Sequence, residues 1–160
     1  MNVSRIDRLD RAITGWMARW APGLLRHSLG IVFLWFGALK FFPSLSPAES
    51  LAGRTIQVLS GGVITPAVSL PLLATWECVI GLGLMLGRGL RVVLLLLWLQ
   101  MLGTLTPLVL FPGEVFVRVP FVPTLEGQYI IKNLVLITAG LVVGATVRGG
   151  HLAPEPRRSS

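Results

Sequence analysis

Four apolar runs of about twenty residues each govern what this chain can fold into. They are Leu24–Phe42, Ile64–Leu86, Val92–Phe111 and Tyr129–Val147. A helix of that length crosses roughly 30 Å of hydrocarbon. Lipid offers no partner to backbone polar groups, and a helix satisfies its own. The third run, "RVVLLLLWLQMLGTLTPLVLF", carries no charge after Arg91. Composition agrees. The 160 residues are 53% hydrophobic and 13% charged, with a mean hydropathy of +0.76, whereas soluble domains run at about 25% charged. A cleaved signal peptide is the rival reading of the first run; its length and Lys40 near its end speak against that. The expected fold is all-α: an integral membrane antiparallel bundle of four transmembrane helices over residues 23–148.

The basic residues orient this bundle. Arg5, Arg8, Arg11, Arg19 and Arg26 precede or open the first run, Arg88 and Arg91 link the second to the third, and Arg148, Arg157 and Arg158 follow the fourth. The other two loops hold only Arg54 and Arg118. Cytoplasmic loops carry the excess of Lys and Arg, so both termini are expected in the cytoplasm, with loops 43–63 and 112–128 outside. A bacterial-type inner (plasma) membrane is the expected location. The net charge of +7 then faces lipid phosphate, and no nucleic-acid partner is expected.

Three segments outside the spans have their own patterns. In "SRIDRLDRAITGWMARW", Ile6, Leu9, Ile13, Trp16, Met17 and Trp20 fall at helical spacing, with most arginines elsewhere on the wheel. Ser4 with Asp7 fits a looser capping box. Residues 1–22 are therefore read as an amphipathic helix at the cytoplasmic interface, packing on a partner protein being the alternative. Residues 149–160 are expected to be disordered. Ser46-Pro47-Ala48-Glu49 is a helix start, with an N-cap serine, proline at the first position and glutamate three after the cap. Leu51, Ala52, Ile56 and Leu59 then make an apolar stripe that Gly61-Gly62 ends. This predicts a short external helix over 47–60, either a lid over the spans or a plain connector. Loop 112–128 reads equally as extended chain or a short hairpin, with Gly127 at its end.

Charges inside a span are costly and point to function by default. Glu77 lies ten residues before Gly87, about 15 Å from that end of its helix, too deep to reach water. Lys40 lies about one turn from the outer end of the first run. Side chains lean toward the N-terminus of their helix, so Lys40 leans inward and Glu77 leans outward, toward each other in depth. Gln100 and Thr104 share a face of the third span, with Gln100 near mid-depth. Lys132 opens the fourth span and leans toward water. Lys40, Glu77, Gln100, Thr104 and Lys132 are the candidate ligand-binding or proton-relay residues. The bland reading of each is an interhelical hydrogen bond or snorkelling to the interface. Cys78 is the single cysteine and reads as an apolar filler. Gly81, Gly83 and Gly87 read as sites of close helix approach, and Pro107 as a kink that frees carbonyls near Gly103 and Thr104. No metal site is expected from one cysteine and two separated histidines.

Several stretches resemble a known family. "LRHSLGIVFLWFGALKFFP" is similar to the first span of DoxX-like membrane proteins, with its opening arginine and G-x-x-K-F near the end. "LATWECVIGLGLMLGRGLR" resembles their second span, a glutamate followed by glycines and a basic turn. "TLTPLVLFPGEVF" and "LEGQYIIKNLVLITAGLVV" are similar to the branch containing the reactive-chlorine-resistance membrane protein. The resemblance covers roughly residues 24–147 and implies a four-helix membrane bundle with a redox-linked role, as a small subunit of a quinone-linked oxidoreductase or in oxidative-stress defence. It places Lys40, Glu77 and Lys132 on the family's polar positions and implies no catalytic residue. The implied partners are the bilayer, an oxidoreductase subunit and further copies of the chain; the implied cofactor is a quinone. Two alternatives stand beside this reading: a non-catalytic scaffold or partner-binding subunit, and a small-solute transporter. Whether the chain is an enzyme is left open.

Overall fold

The computed structural model describes residues 3–42, 45–46 and 49–150. The chain runs α1 (Val3–Leu39), α2 (Glu49–Leu59), α3 (Pro66–Leu86), α4 (Leu90–Leu105), α5 (Pro107–Leu110), α6 (Pro112–Val115), β1 (Phe116–Arg118), β2 (Val122–Pro123) and α7 (Leu125–Thr146). Four helical stretches are long and apolar enough to cross a membrane: Arg5–Leu39, Pro66–Leu86, Leu90–Leu110 and Leu125–Thr146. They form a ring in which α1 packs on α3, α3 on α4, α4 on α7, and α7 back on α1. Neighbours are antiparallel. Arg26 meets Leu84 while Lys40 meets Glu77, and Trp76 donates to the Leu96 carbonyl at 3.1 Å while Gly83 faces Val93. The described chain ends therefore lie at one end of the bundle, here the terminal end, together with the α3–α4 link.

The core inside the ring is Leu29 and Phe33 of α1, Ile80 and Leu84 of α3, Val93, Leu94, Leu97 and Met101 of α4, and Ala139 and Val143 of α7. The outside is just as apolar. Trp35, Leu72, Leu95, Leu102, Val135 and Leu141 are all exposed, an outer surface suited to a bilayer. This is a multi-pass membrane protein.

The α1–α3 contact is the tightest. A methyl group at Gly81 would stand 2.5 Å from the Leu34 nitrogen and 2.8 Å from the Gly30 oxygen. One at Gly37 would stand 2.8 Å from Glu77 Cβ and 3.0 Å from the Cys78 nitrogen. At the terminal end, Arg26 donates to the Leu84 carbonyl and, at 3.2 Å, to that of Met85. These are last-turn carbonyls that α3 cannot satisfy itself. Gly87 ends α3 in the left-handed region, φ 68°, against the Arg26 guanidinium.

Other features differ from the sequence reading. The first 22 residues are not a separate helix: α1 is one element of 37 residues, about 55 Å long. Its expected apolar stripe, Ile6 to Trp20, is exposed. Pro22 lies inside this helix without ending it. The Ser4 side chain, Pro47, Ala48 and the expected disordered tail from His151 lie outside the described residues. The short helix α2 is described from Glu49, whose N–H donates to the Ser46 carbonyl at 3.2 Å. It buries Leu51, Gly53 and Thr55 rather than running a stripe to Leu59, which is exposed, because Gly53 seats against Pro66 early in α3. Gly61 and Gly62 close α2 with φ of 65° and 86°.

Loop 112–128 holds α6 and a hairpin, Phe116 pairing with Pro123 and Arg118 with Val122. Gly127 does not end this loop. It lies in the first turn of α7, donating at 3.2 Å to the Thr124 cap, where a side chain would strike the Val115 carbonyl. The exposed Arg54 of α2 makes a two-point ion pair with Glu114. That hydrogen bond raises the Arg54 guanidinium above its ordinary range. Beneath α2, Leu51, Val115 and Ile130 form a second small core. The helix thus covers the α2 end rather than merely connecting spans. At Pro107 the chain cannot donate to the Gly103 carbonyl, and the Thr106 hydroxyl takes it at 2.6 Å.

Gly81→Ala should lose about 1–3 kcal/mol, since backbone must move to admit the methyl. Gly103→Ala, with nothing within 4 Å, should be neutral or gain up to about 1 kcal/mol. Thermal unfolding of both variants in one detergent checks the pair; equal losses would refute the close-approach account.

Candidate functional site

Glu77 is the twelfth of the 21 residues of α3, midway through a span. It is 7% exposed, and its position follows from the glycine seam. Gly37 has no side chain, so Glu77 Cβ sits directly against α1. Lys40, one turn further along α1, then reaches back toward the helix N-terminus as its Cα–Cβ direction dictates. Its Nζ donates to Glu77 Oε2 at 2.6 Å and to the Phe36 carbonyl of its own helix at 3.3 Å. From α4, Gln100 Nε2 donates to Glu77 Oε1 at 2.8 Å. Three helices thus contribute one group each, and both carboxylate oxygens have a partner. The Lys40 and Glu77 side chains are 11% and 10% exposed, so the pair is approached by a narrow opening at most. Such a pair offsets its desolvation only when geometry and extra hydrogen bonds are good; here both are.

The other two candidates do not join. Thr104 shares a face with Gln100, but its short hydroxyl donates back to the Met101 carbonyl at 2.9 Å. Lys132 is exposed, and its ammonium lies 5.8 Å from the Tyr129 ring centroid. It lies seven residues into α7, since that helix begins at Leu125. The buried stripe of α7 runs through Ile130, Ala139, Gly140 and Val143, and position 132 is about 200° around the helix from 130. Cys78 packs half-buried against α1, its Sγ 3.9 Å from the Leu34 carbonyl. Among the described residues no group of three His, Cys, Asp or Glu side chains could hold a metal.

Two parts of the arrangement escaped the sequence reading. Gly37 lies three before Lys40, on the same helix face, and that spacing was the available signal for close approach. Arg26 enters the sequence reading as a topological charge and a mark of resemblance, not as a contact, although it stands where an antiparallel partner must end.

A model of the family described as DoxX matches residues 21–111, more than half of the chain. The chain belongs to the DoxX family. The matched region contains Lys40, Glu77 and Gln100 and stops before the hairpin and α7. The similarity noted for "LEGQYIIKNLVLITAGLVV" falls outside it. No curated protein and no solved structure matches the chain.

In this DoxX protein, Lys40→Met alone or Glu77→Leu alone should each cost about 3–5 kcal/mol, because each strands a buried charge. The double variant should lose much less than the sum. A double-mutant cycle by unfolding in detergent measures the coupling; additive losses would mean that the two groups do not interact.

Proposed function

We propose that this DoxX protein is the membrane subunit of a redox or oxidative-stress system, and that the Lys40–Glu77–Gln100 cluster binds a quinone or another small oxidised molecule. The observation carrying this reading is a hydrogen-bonded acid–base pair at mid-bilayer in a bundle otherwise packed with apolar side chains. Of the three N–H donors of Lys40, two are used, on Glu77 and on Phe36. The third suits one carbonyl oxygen arriving from the apolar side. Gln100 keeps its side-chain carbonyl as a further acceptor. The free Lys40 N–H therefore suits a quinone carbonyl, and the Gln100 carbonyl suits the hydroxyl of the reduced form. A quinone, when bound, supplies two-electron, two-proton chemistry. The chain's own part is to donate from Lys40, to hold a proton at Glu77, and to exclude water with α2 and the hairpin at the near end. Electrons come from a partner protein in this reading.

The family supports the membrane setting; the oxidative-stress form of the proposal rests on the resemblance of the stretches at residues 104–116 and 125–143 to the branch with the reactive-chlorine-resistance protein. In the proposed orientation the arginine-rich terminal end faces the cytoplasm of a bacterial-type cell and α2 faces out. A second reading has its own observation. Every charged atom of the pair is already satisfied within the bundle, which is what a scaffold using polar contacts to fix helix order requires. Small-solute transport stands third, because the described core inside the ring is closely packed with apolar side chains.

One experiment separates the first two. The protein is purified gently from its native membranes, and co-purifying quinones, lipids and proteins are identified by mass spectrometry, with Glu77→Gln in parallel. The redox reading expects a quinone or an oxidoreductase subunit with the wild type, reduced at least about ten-fold in the variant, since a lost charged hydrogen bond is worth about 1.5–3 kcal/mol. Identical profiles lacking both would leave the scaffold.

A further inference from the structure

The terminal end of the α4–α7 interface holds a groove of about 450 Å³ that the site above does not use. Its wall on α4 is Arg91, Leu94 and Trp98; its other wall is Leu141 and Ala145 of α7 with Arg148, two residues past the end of that helix. Each wall thus sets an arginine at the end of the bundle and an apolar side chain seven residues away. That is two turns, about 10 Å, deeper into the hydrocarbon. Gly144 makes the depression, with the Trp98 ring lying against it. Both arginines are exposed. Among the described residues the carboxylates stand elsewhere: Glu77 is paired in mid-bundle, Glu49, Glu114 and Glu126 lie at the α2 end, and Asp7 and Asp10 lie sixteen or more residues before Arg26 on α1, about 24 Å or more along that helix. Arg91 also occupies the first turn of α4, where the helix dipole disfavours a cation unless an anion accompanies it.

We propose that this groove is a binding site for an anionic diacyl phospholipid, the phosphate between Arg91 and Arg148 and an acyl chain along Leu94, Trp98 and Leu141. The order of chemistry along the groove, cationic at the membrane face and apolar below, is that of a lipid and of no free anion. Basic pockets between transmembrane helices recognise such headgroups. The chain's own last ten residues carry Arg157 and Arg158 against Glu155, the wrong charge to fill it. A second copy of the chain would bring further arginines to the same end.

The test uses full-length protein in detergent, stripped of lipid, with native mass spectrometry during titration by dioleoyl-phosphatidylglycerol or dioleoyl-phosphatidylcholine. The first phosphatidylglycerol should bind at least about five-fold more tightly than phosphatidylcholine. Arg91→Ala and Arg148→Ala should each weaken it about five-fold, and together roughly thirty-fold, at about 1 kcal/mol per arginine. Arg91→Lys with Arg148→Lys should restore most of the affinity. Leu141→Trp, which fills the apolar part and keeps both charges, should weaken it as well. Helix content by circular dichroism screens the variants for folding. Equal binding of the two lipids, or a double alanine variant that binds like the wild type, overturns the proposal. Loss with the arginine variants but not with Leu141→Trp leaves a bare anion site and also overturns it. So does a lipid-free dimer that Leu141→Trp dissolves, since the groove would then belong to a second copy.

Discussion

A carboxylate at mid-bilayer has to be met where it stands, and that constraint organises the α1–α3 half of the bundle. Glu77 cannot reach water from the middle of α3, so its partners must come to it. Gly37 lets the two backbones close to a distance at which Lys40 can reach Oε2. The same seam continues toward the terminal end through Gly30 against Gly81 and finishes where Arg26 takes the last carbonyls of α3. Cationic contact, bare backbone, bare backbone, cationic contact: four points along one pair of helices fix its register. A slip of one residue along α3 would turn Glu77 about 100° toward lipid, so this register is the only one in which the acid is paired.

The family match and the geometry agree on where the chain is most constrained. Residues 21–111 include the membrane part of α1, the turn holding Gly87, and all of α3 and α4. All three members of the polar cluster are inside. Helix α7 contributes apolar closure instead. Gly140 and Gly144 accept the Trp98 ring, and Ala139 and Val143 complete the core. Any sequence with small residues on one face could serve there, whereas the cluster requires particular groups at particular depths.

Much of this was legible in the sequence because the bilayer simplifies the problem. Hydrocarbon thickness sets span length, so the four runs correspond to four helices, although α1 begins 21 residues before its run and α7 one turn before its own. Depth and side-chain lean brought Lys40 and Glu77 to the same level, and depth alone nominated Gln100. Depth says nothing, however, about rotation around a helix. For that reason Thr104 and Lys132, both candidates from the sequence, do not join the cluster: one bonds its own backbone, and the other is exposed over Tyr129, in keeping with its expected lean toward water. The amphipathic N-terminal pattern predicts an interfacial helix of its own over residues 1–22, but Pro22 does not separate it from the first span. Proline removes one N–H donor but does not forbid a helix, and the chain continues through it.

The pair at the centre is unequal, and the inequality bears on what the cluster can do. Lys40 stands directly after the last residue of α1, where the helix presents unsatisfied carbonyls and the negative end of its dipole. The Phe36 carbonyl already accepts from it. Lys40 therefore has a partner that does not depend on the charge of Glu77. Glu77 likewise has Gln100, which can present N–H to a carboxylate or, by rotating its amide, a carbonyl to a carboxylic acid. A proton arriving at Glu77 costs the ion pair but leaves each neighbour one hydrogen-bond partner, the Phe36 carbonyl for Lys40 and the carboxylic acid for Gln100. The third member serves both readings: in a scaffold it satisfies Oε1 of a buried carboxylate, and in the proposed redox role its amide can follow a change of protonation at Glu77.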